Sequence, residues 1–256
     1  MPSTLFDLTG KVAIVTGSTK GIGKAIVEEL ARHGAKVVVS SRKADKCEEV
    51  AAAIRAEGHE AIAIPAHIGK KEDLENLVRR TREQWGRIDI LVCNAAVNPY
   101  YGPMSQLTDE AFTKVIDSNV RSNWWLCNLV SPEMMERKDG AIIIVSSIGG
   151  LKGSTTLGIY CISKAADFQL ARNLAMEYGP HNVRVNCVAP GLVRTDFAAA
   201  LWTNPELLRK TEAATPLRRI GEPEDIAGAA VYLASKAGSW TTGQMIVVDG
   251  GVTSAG

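Results

Sequence analysis

Apolar residues recur along this chain in two alternating rhythms. Short β-branched runs, most of them apolar at nearly every position, lie at 11–16 (KVAIVT), 36–41 (KVVVSS), 60–64 (EAIAI), 88–93 (IDILVC), 141–147 (AIIIVSS), 183–189 (VRVNCVA) and 244–249 (QMIVVD). A strand without a polar face must be covered on both sides, as the strands of a parallel sheet are. Between the runs, amphipathic segments near 21–33, 44–57, 71–86, 108–135, 155–178 and 223–235 are each long enough for the crossover that a parallel pair requires. The pattern predicts an α/β fold: one doubly wound domain over 1–256, built on a seven-stranded parallel sheet, with no Pro/Gly/Ser-rich linker to divide it. The rhythm breaks once, at 191–222, a long stretch bounded by Pro190-Gly191 and GEPED that carries Phe197, Leu201 and Trp202. An insertion of that length beyond a strand end is expected to be a lid over a substrate.

Composition narrows the partners. The net charge is +1, with acids and bases interspersed and no like-charged run, which argues against a nucleic-acid surface or a membrane-binding helix and for a small molecule. The five cysteines are odd in number, scattered and without C-x-x-C spacing, so they read as reduced thiols of a cytosol-like compartment. The four histidines form no ligand cluster, and no metal is expected. The opening MPSTLFDLTGK has no basic-plus-apolar signal, and no apolar run is long enough to span a bilayer; the expected location is cytoplasmic.

Candidate chemistry gathers at the carboxyl ends of the predicted strands. VTGSTKGIG runs from Val15 to Gly23, off the first strand and into the first helix, with the spacing Gly17-x-x-x-Gly21-x-Gly23. Gly17 permits a tight turn, Gly21 lets backbone approach a pyrophosphate, Gly23 lets the helix pack on the strand, and the helix N-terminus offers N–H groups to the anion. At the fourth strand end, Asn94, Ala95 and Ala96 leave room for a ribose against the backbone. Asn119 falls inside the predicted helix 108–135, where an Asn is disfavoured unless its amide has a partner. Ser146 and Ser147 end the fifth strand, and only one of two successive residues can face the crevice. Tyr160 and Lys164 are four apart, so a helix stacks them on one face. The bland reading of that pair is a tyrosine capping the core beside a lysine that snorkels to water.

Taken in order, T-G-x-x-x-G-I-G, N-A-A, Asn119, Ser147, Tyr160-x-x-x-Lys164, Pro190-Gly191 and V-D-G-G at 248–251 resemble the short-chain dehydrogenase/reductase family over nearly the whole chain. The thirteen-residue interval from Ser147 to Tyr160 matches the family spacing and selects Ser147 over Ser146. SSRK, NAAVNP and GEPED look most like the NADPH-dependent carbonyl and retinal reductases of the peroxisomal type, although the chain ends TSAG without an S-K-L-type address. The resemblance implies a Rossmann-type domain and a catalytic set of Asn119, Ser147, Tyr160 and Lys164. It implies a coenzyme held by Gly17, Ser18, Lys20, Gly21, Ile22, Gly23, Ser41, Arg42, His67, Ile68, Asn94, Ala95, Ala96, Pro190, Gly191, Val193 and Thr195, with Tyr160 and Lys164 at its reactive end. Three departures stand out: Cys93-Asn94-Ala95-Ala96 replaces N-N-A-G, His67-Ile68 stands where an aspartate often contacts adenine, and Trp124 and Trp125 lie on a helix that commonly packs against another subunit.

Hydride delivery to a carbonyl builds negative charge on its oxygen, and a positioned acid lowers that barrier. Tyr160 is the candidate acid and Lys164 the cation that favours its phenolate; the resemblance adds ribose binding by Lys164, substrate binding by Ser147 and a water-linked proton relay anchored by Asn119. Ser41 and Arg42, in place of an acidic residue after the second strand, point to NADP(H), with Lys20 adding charge. Val97, Tyr100, Phe197, Leu201 and Trp202 are expected to line an apolar substrate pocket, and because the family commonly assembles as dimers and tetramers, a homo-oligomer is expected, a homotetramer ahead of a dimer. The leading expectation is reversible NADP(H)-dependent reduction of ketones or aldehydes. An NAD(H)-dependent alcohol or sugar dehydrogenase, and a catalytically silent nucleotide-binding scaffold, are the alternatives.

Overall fold

Each apolar run forms a strand: β1 (Val12–Thr16), β2 (Lys36–Ser40), β3 (Ala61–Ala63), β4 (Ile90–Cys93), β5 (Gly140–Val145), β6 (Val183–Pro190) and β7 (Met245–Val248). The computed structural model describes residues 4–255; Met1–Ser3 and Gly256, on which the readings of the chain's two ends partly rest, lie outside them. The strands make one parallel sheet in the order β3-β2-β1-β4-β5-β6-β7. The direction of winding reverses between β1 and β4, the place where sheets of this kind open a ligand crevice.

Six helical segments follow the predicted ones: α1 (Gly21–Arg32), α2 (Ala44–Ala56), α3 (Lys71–Trp85), then α4 (Asp109–Ile116) running on into α5 (Ser122–Arg137), and α6 (Gly158–Tyr178). The insertion contributes α7 (Ala199–Trp202) and α8 (Pro205–Ala214), and α9 (Pro223–Ala234) returns to the sheet. Side-chain alternation sorts the helices into two layers. Ala13 and Val15 of β1 and Val37 and Val39 of β2 pack with α1, α2 and α9, while Ile14 and Val38 between them pack with α3, α5 and α6. The continuous apolar runs thus reflect burial on both faces. The edge strands are the exceptions: β7 is half-buried at all four positions and β3 at two of three.

Two boundaries differ from expectation. The predicted helix 108–135 is interrupted by a π-helical turn at Asp117–Arg121 that leaves Asn119 and Ser118 buried. A π turn adds one residue to the helix without breaking it and often marks a functional position. α6 begins at Gly158 rather than near 155, because the Ser154 hydroxyl accepts the N–H groups of Thr156 and Leu157 and holds the preceding segment in a turn. The insertion is pinned at its base: Arg194 N–H donates to Gly221 O, Gly221 N–H donates to Leu192 O, each at 2.9 Å, and Val193 bridges Gly221. The helices of the insertion therefore project as one loop from a closed neck.

Candidate active site

The glycine loop leaves β1 and meets the end of β4 directly. Gly17 and Gly21 have φ of +65° and +54°, the left-handed region that side chains resist. Asn94 donates its amide to Thr16 O at 2.9 Å and to Gly17 O at 3.2 Å, and Thr16 Oγ1 accepts the N–H groups of Asn94 and Ala95. A Cβ on Gly23 would lie 2.3 Å from Asn94 Nδ2 and 2.4 Å from Gly17 O, so the third glycine is there because loop, helix and β4 touch. Gly21 faces Thr195 in the same way: a Cβ there would reach its Cγ2 at 3.0 Å. Lys20, the residue before α1, makes no side-chain cap, and the first turn holds no acid, which leaves the helix N-terminus open to an anion. These features fit a dinucleotide pyrophosphate. Ile22 is partly buried against the core beneath the loop. Ser18 is different from expectation: it is fully buried, donates to Val15 O at 2.7 Å and accepts from Ser40 N, so its side chain supports the loop from below.

At the far end of the crevice no carboxylate follows β2. Ser41 N–H donates to Cys47 Sγ, and its hydroxyl lies 3.3 Å from the same sulfur. His67 accepts the Gly69 N–H on Nδ1 and donates its own backbone N–H to Asp73, so this histidine shapes the turn after β3. Ile68 packs on the core. Burial lowers the His67 pKa, and the charges of Lys114, Arg42 and Lys70 lower it further. His67 and Lys70 of this turn thus lie near Arg42 after β2 and Lys114 of α4. Lys20 lies on the exposed side of the loop, 3.1 Å from Asp196 of the insertion.

The candidate catalytic residues assemble where β5 meets α6. Ser146 is buried and donates to Lys164 O at 2.8 Å, whereas Ser147 faces the crevice and accepts the Gly149 N–H at 3.0 Å, which leaves its own proton free to donate. Ser147 Oγ and Tyr160 Cε1 both lie within 4 Å of the point where a Cβ on Gly149 would sit, which makes them neighbours. Lys164 is 2% exposed, so it does not snorkel to water. Its Nζ lies 5.7 Å from the Tyr160 ring centre and donates to Val145 O at 3.0 Å. Burial works against this ammonium, but Asp167 and Tyr160 outweigh it and leave the Lys164 pKa raised. Asn119 has the partners its position demanded: it accepts the Val97 N–H at 2.8 Å and donates to Val97 O and to Ser163 Oγ.

The expected pocket residues divide. Phe197 faces Tyr160 at 6.0 Å between ring centres, and Leu201 joins Ile148, Leu192, Leu207 and Val252 around a cleft of about 260 Å³. Trp202 instead fastens the insertion, donating its indole N–H to Thr195 O beneath the Arg194 guanidinium. Val97 is held by Asn119, and Tyr100 donates to Pro103 O. After Pro190, Gly191 is pressed against Asp249, whose Cβ would be 2.8 Å from a Cβ on Gly191, and Val193 is buried in the neck.

A family model described as enoyl-(acyl carrier protein) reductase matches residues 17–253. Dehydrogenase/reductase SDR family member 4 of Homo sapiens is 44% identical over 247 residues, covering 96% of this chain and 89% of the human protein. The chain belongs to the short-chain dehydrogenase/reductase family. Among solved members, a 7α-hydroxysteroid dehydrogenase complexed with NADH and 7-oxo glycochenodeoxycholic acid superposes with a TM-score of 0.94 at 37% identity, covering 98% of this chain and 97% of its own. A gluconate 5-dehydrogenase from Burkholderia cenocepacia in complex with NADP and tartrate gives 0.94 at 28% identity, with 99% of each chain covered. This short-chain dehydrogenase/reductase is thus an oxidoreductase of a nucleotide-coenzyme family whose members hold either coenzyme. Sequence reasoning missed Thr16, which ties the glycine loop to β4, and Asn123 and Asp167, which reach the candidate residues Asn119 and Lys164 from α5 and α6. Thr16 carries a signal, a polar residue closing an apolar strand. Asn123 and Asp167 acquire meaning only when the two helices pack.

Proposed function

We propose that this protein is an NADP(H)-dependent oxidoreductase that reduces ketones or aldehydes to alcohols, reversibly, with Tyr160 as general acid and base. The observation that carries the reading is a buried Lys164 beside Tyr160, with the Ser147 hydroxyl next to the same ring. The loop of Gly17, Gly21 and Gly23 would hold the coenzyme pyrophosphate, Ser41 and Arg42 its adenosine end, and Asn94, Ala95, Ala96, Gly191 and Lys164 its nicotinamide end. The bound coenzyme supplies or accepts the hydride.

Ser147 donates to the substrate oxygen and fixes it beside the phenol. Tyr160 passes its proton to that oxygen as negative charge grows there, and the Lys164 ammonium stabilises the phenolate left behind. Asn119 spends its side chain on Val97 and Ser163, so it acts by holding the β4 loop and the π turn beside α6, where a water-linked proton relay would be anchored. The three basic groups around His67, Arg42, Lys70 and Lys114, with Ser41 rather than an acid directly after β2, favour a 2′-phosphate. Phe197 facing Tyr160 favours aromatic or alicyclic carbonyls over polyols, while the cleft around Leu201 mixes apolar side chains with Lys152, Arg219 and Asp249. The exposed Trp124 on α5 suits a subunit contact in a cytoplasmic homotetramer, an assembly that light scattering at the monomer mass would disprove.

Consumption of NADPH and of NADH with a panel of carbonyls tests the reading. NADPH loss with aromatic or alicyclic ketones is expected. Tyr160→Phe should lower kcat by roughly 10²- to 10⁴-fold while coenzyme binding persists. Failure of every carbonyl to oxidise NADPH, or a Tyr160→Phe variant of near-full activity, would overturn it.

A further inference from the structure

Asp167 lies on α6, one turn beyond Lys164, and is 0% exposed. A carboxylate so buried needs a partner for each oxygen. Oδ2 lies 3.2 Å from Lys164 Nζ, and Oδ1 accepts from Asn123 Nδ2 at 3.0 Å. The same Asn123 amide donates to Asn119 O at 2.6 Å. A continuous buried chain therefore runs from Lys164 through Asp167 and Asn123 to the π turn, joining two of the four reactive residues through two side chains that touch no reacting atom. We propose that Asp167 is a positioning residue, the counter-ion and anchor of Lys164, and that Asn123 ties this pair to the Asn119 turn.

The donor inventory supports the assignment. An ammonium has three N–H groups. Val145 O and Asp167 take two, from β5 and from the helix itself, so the third is directed by the fold and remains for the crevice. The surroundings offer no other reason for an acid: Phe168 and Ala171 beside it on α6 belong to the apolar core, as do Cys93, Cys127 and Cys187. Side-chain bonding with Cys127 and burial push the Cys93 thiol up, and burial pushes the Cys187 thiol up, so both stay neutral near Asp167. Tyr160 and Cys187 are the other ionisable groups that act on Lys164, and burial holds the Cys187 thiol in its neutral form. Without the Asp167 charge, burial would drive Lys164 toward the neutral amine, which can neither stabilise a phenolate nor hold a ribose hydroxyl with the same strength.

The importance of the pair rests on the proposed function, but its existence is testable without coenzyme. Carbon-13 NMR of Lys164 Cε in the coenzyme-free protein, assigned by its absence in Lys164→Met, should show an ammonium that titrates above an ordinary lysine, held there by the Asp167 charge. In Asp167→Asn, which keeps the shape and removes the charge, the midpoint should fall by about one unit or more. The alkaline limb of the carbonyl-reduction pH profile should move down with it, a response that a merely structural aspartate would not give. An unmoved midpoint overturns the proposal. Should Asp167→Asn not fold, the Asp167 Cγ resonance of the unaltered protein decides: an ionised carboxylate at pH 7 is expected, and a protonated one overturns the proposal. Absence of carbonyl reduction in the unaltered protein would sink the functional reading while leaving the NMR result to judge Asp167.

Discussion

Lys20 and Asp196 face each other across 3.1 Å, so an ion pair joins the glycine loop to the insertion over the crevice. The two side chains are 68% and 75% exposed, which makes the pair weak and easily exchanged. A coenzyme 2′-phosphate near Lys20 would compete with Asp196 for it. Asp196→Ala should therefore lower the KM for NADPH by up to roughly fivefold and leave that for NADH unchanged. Equal changes for both coenzymes would remove Lys20 from phosphate recognition.

The Ser41 and Arg42 pair should set coenzyme choice. Ser41→Asp combined with Arg42→Ala places a carboxylate where a ribose hydroxyl donates and removes the guanidinium suited to a phosphate. Steady-state kinetics should show kcat/KM for NADPH reduced roughly 10- to 100-fold, the scale of a lost charge-assisted bond, with NADH improved. An unaltered protein that uses NADH as efficiently as NADPH would refute the assignment.

Gly23→Ala should destabilise the protein as well as the coenzyme site. The added methyl would meet both Asn94 Nδ2 and Gly17 O, and a backbone carbonyl cannot swing away as a side chain can. A loss of about 1–3 kcal/mol in urea unfolding is expected, as for overpacked cores. Adding Asn94→Ala should recover only part of it, since the Gly17 carbonyl remains. Full recovery would show that Asn94 alone makes the third glycine necessary.

Acid sensitivity should be traceable to the foot of the insertion. Hydrogen bonding from Arg219 and from the Glu222 N–H holds Asp225 down at about 2, while it caps α9. A folded pKa below the unfolded value means that this stabilisation is present above about pH 4 and is lost as pH falls toward 2. Thermal melts should show the Asp225→Asn protein less stable than the unaltered one at pH 5, with the gap narrowing by pH 2. A constant gap would mean that the effect is one of packing rather than ionisation.

Much of this protein could be read from its order of residues. The strand runs were found within two residues or so of their observed ends, because a parallel strand covered on both faces has no reason to carry polar side chains, and that demand is local. The glycine loop, the Ser147 to Tyr160 interval and the Tyr160–Lys164 spacing were legible for the same reason: each expresses a turn or a helical repeat within a short stretch. The pleat alone showed that Ser146 and Ser147 could not both face the crevice.

Tertiary structure decided what depends on residues far apart in the chain. Nothing in the sequence orders the strands β3-β2-β1-β4-β5-β6-β7, so nothing in it shows that Asn94 would clamp Gly17 or that β7 would be left half-buried at the edge. The π turn at Asp117–Arg121 has no local signature, because the extra residue is held by Asn119 reaching Val97 and Ser163. Ser18 and Trp202 looked like ligand contacts and became braces, since each found a carbonyl of the protein as its partner. Asp167 carries no signal in the sequence, and only the packing of α5 against α6 gives its oxygens Asn123 and Lys164. Local sequence dictates which segments are strands and helices through backbone preference and side-chain periodicity. Which charges and hydrogen-bonding groups share one dry volume is set only when those segments pack, because there an unpartnered polar group carries a cost that water would otherwise remove.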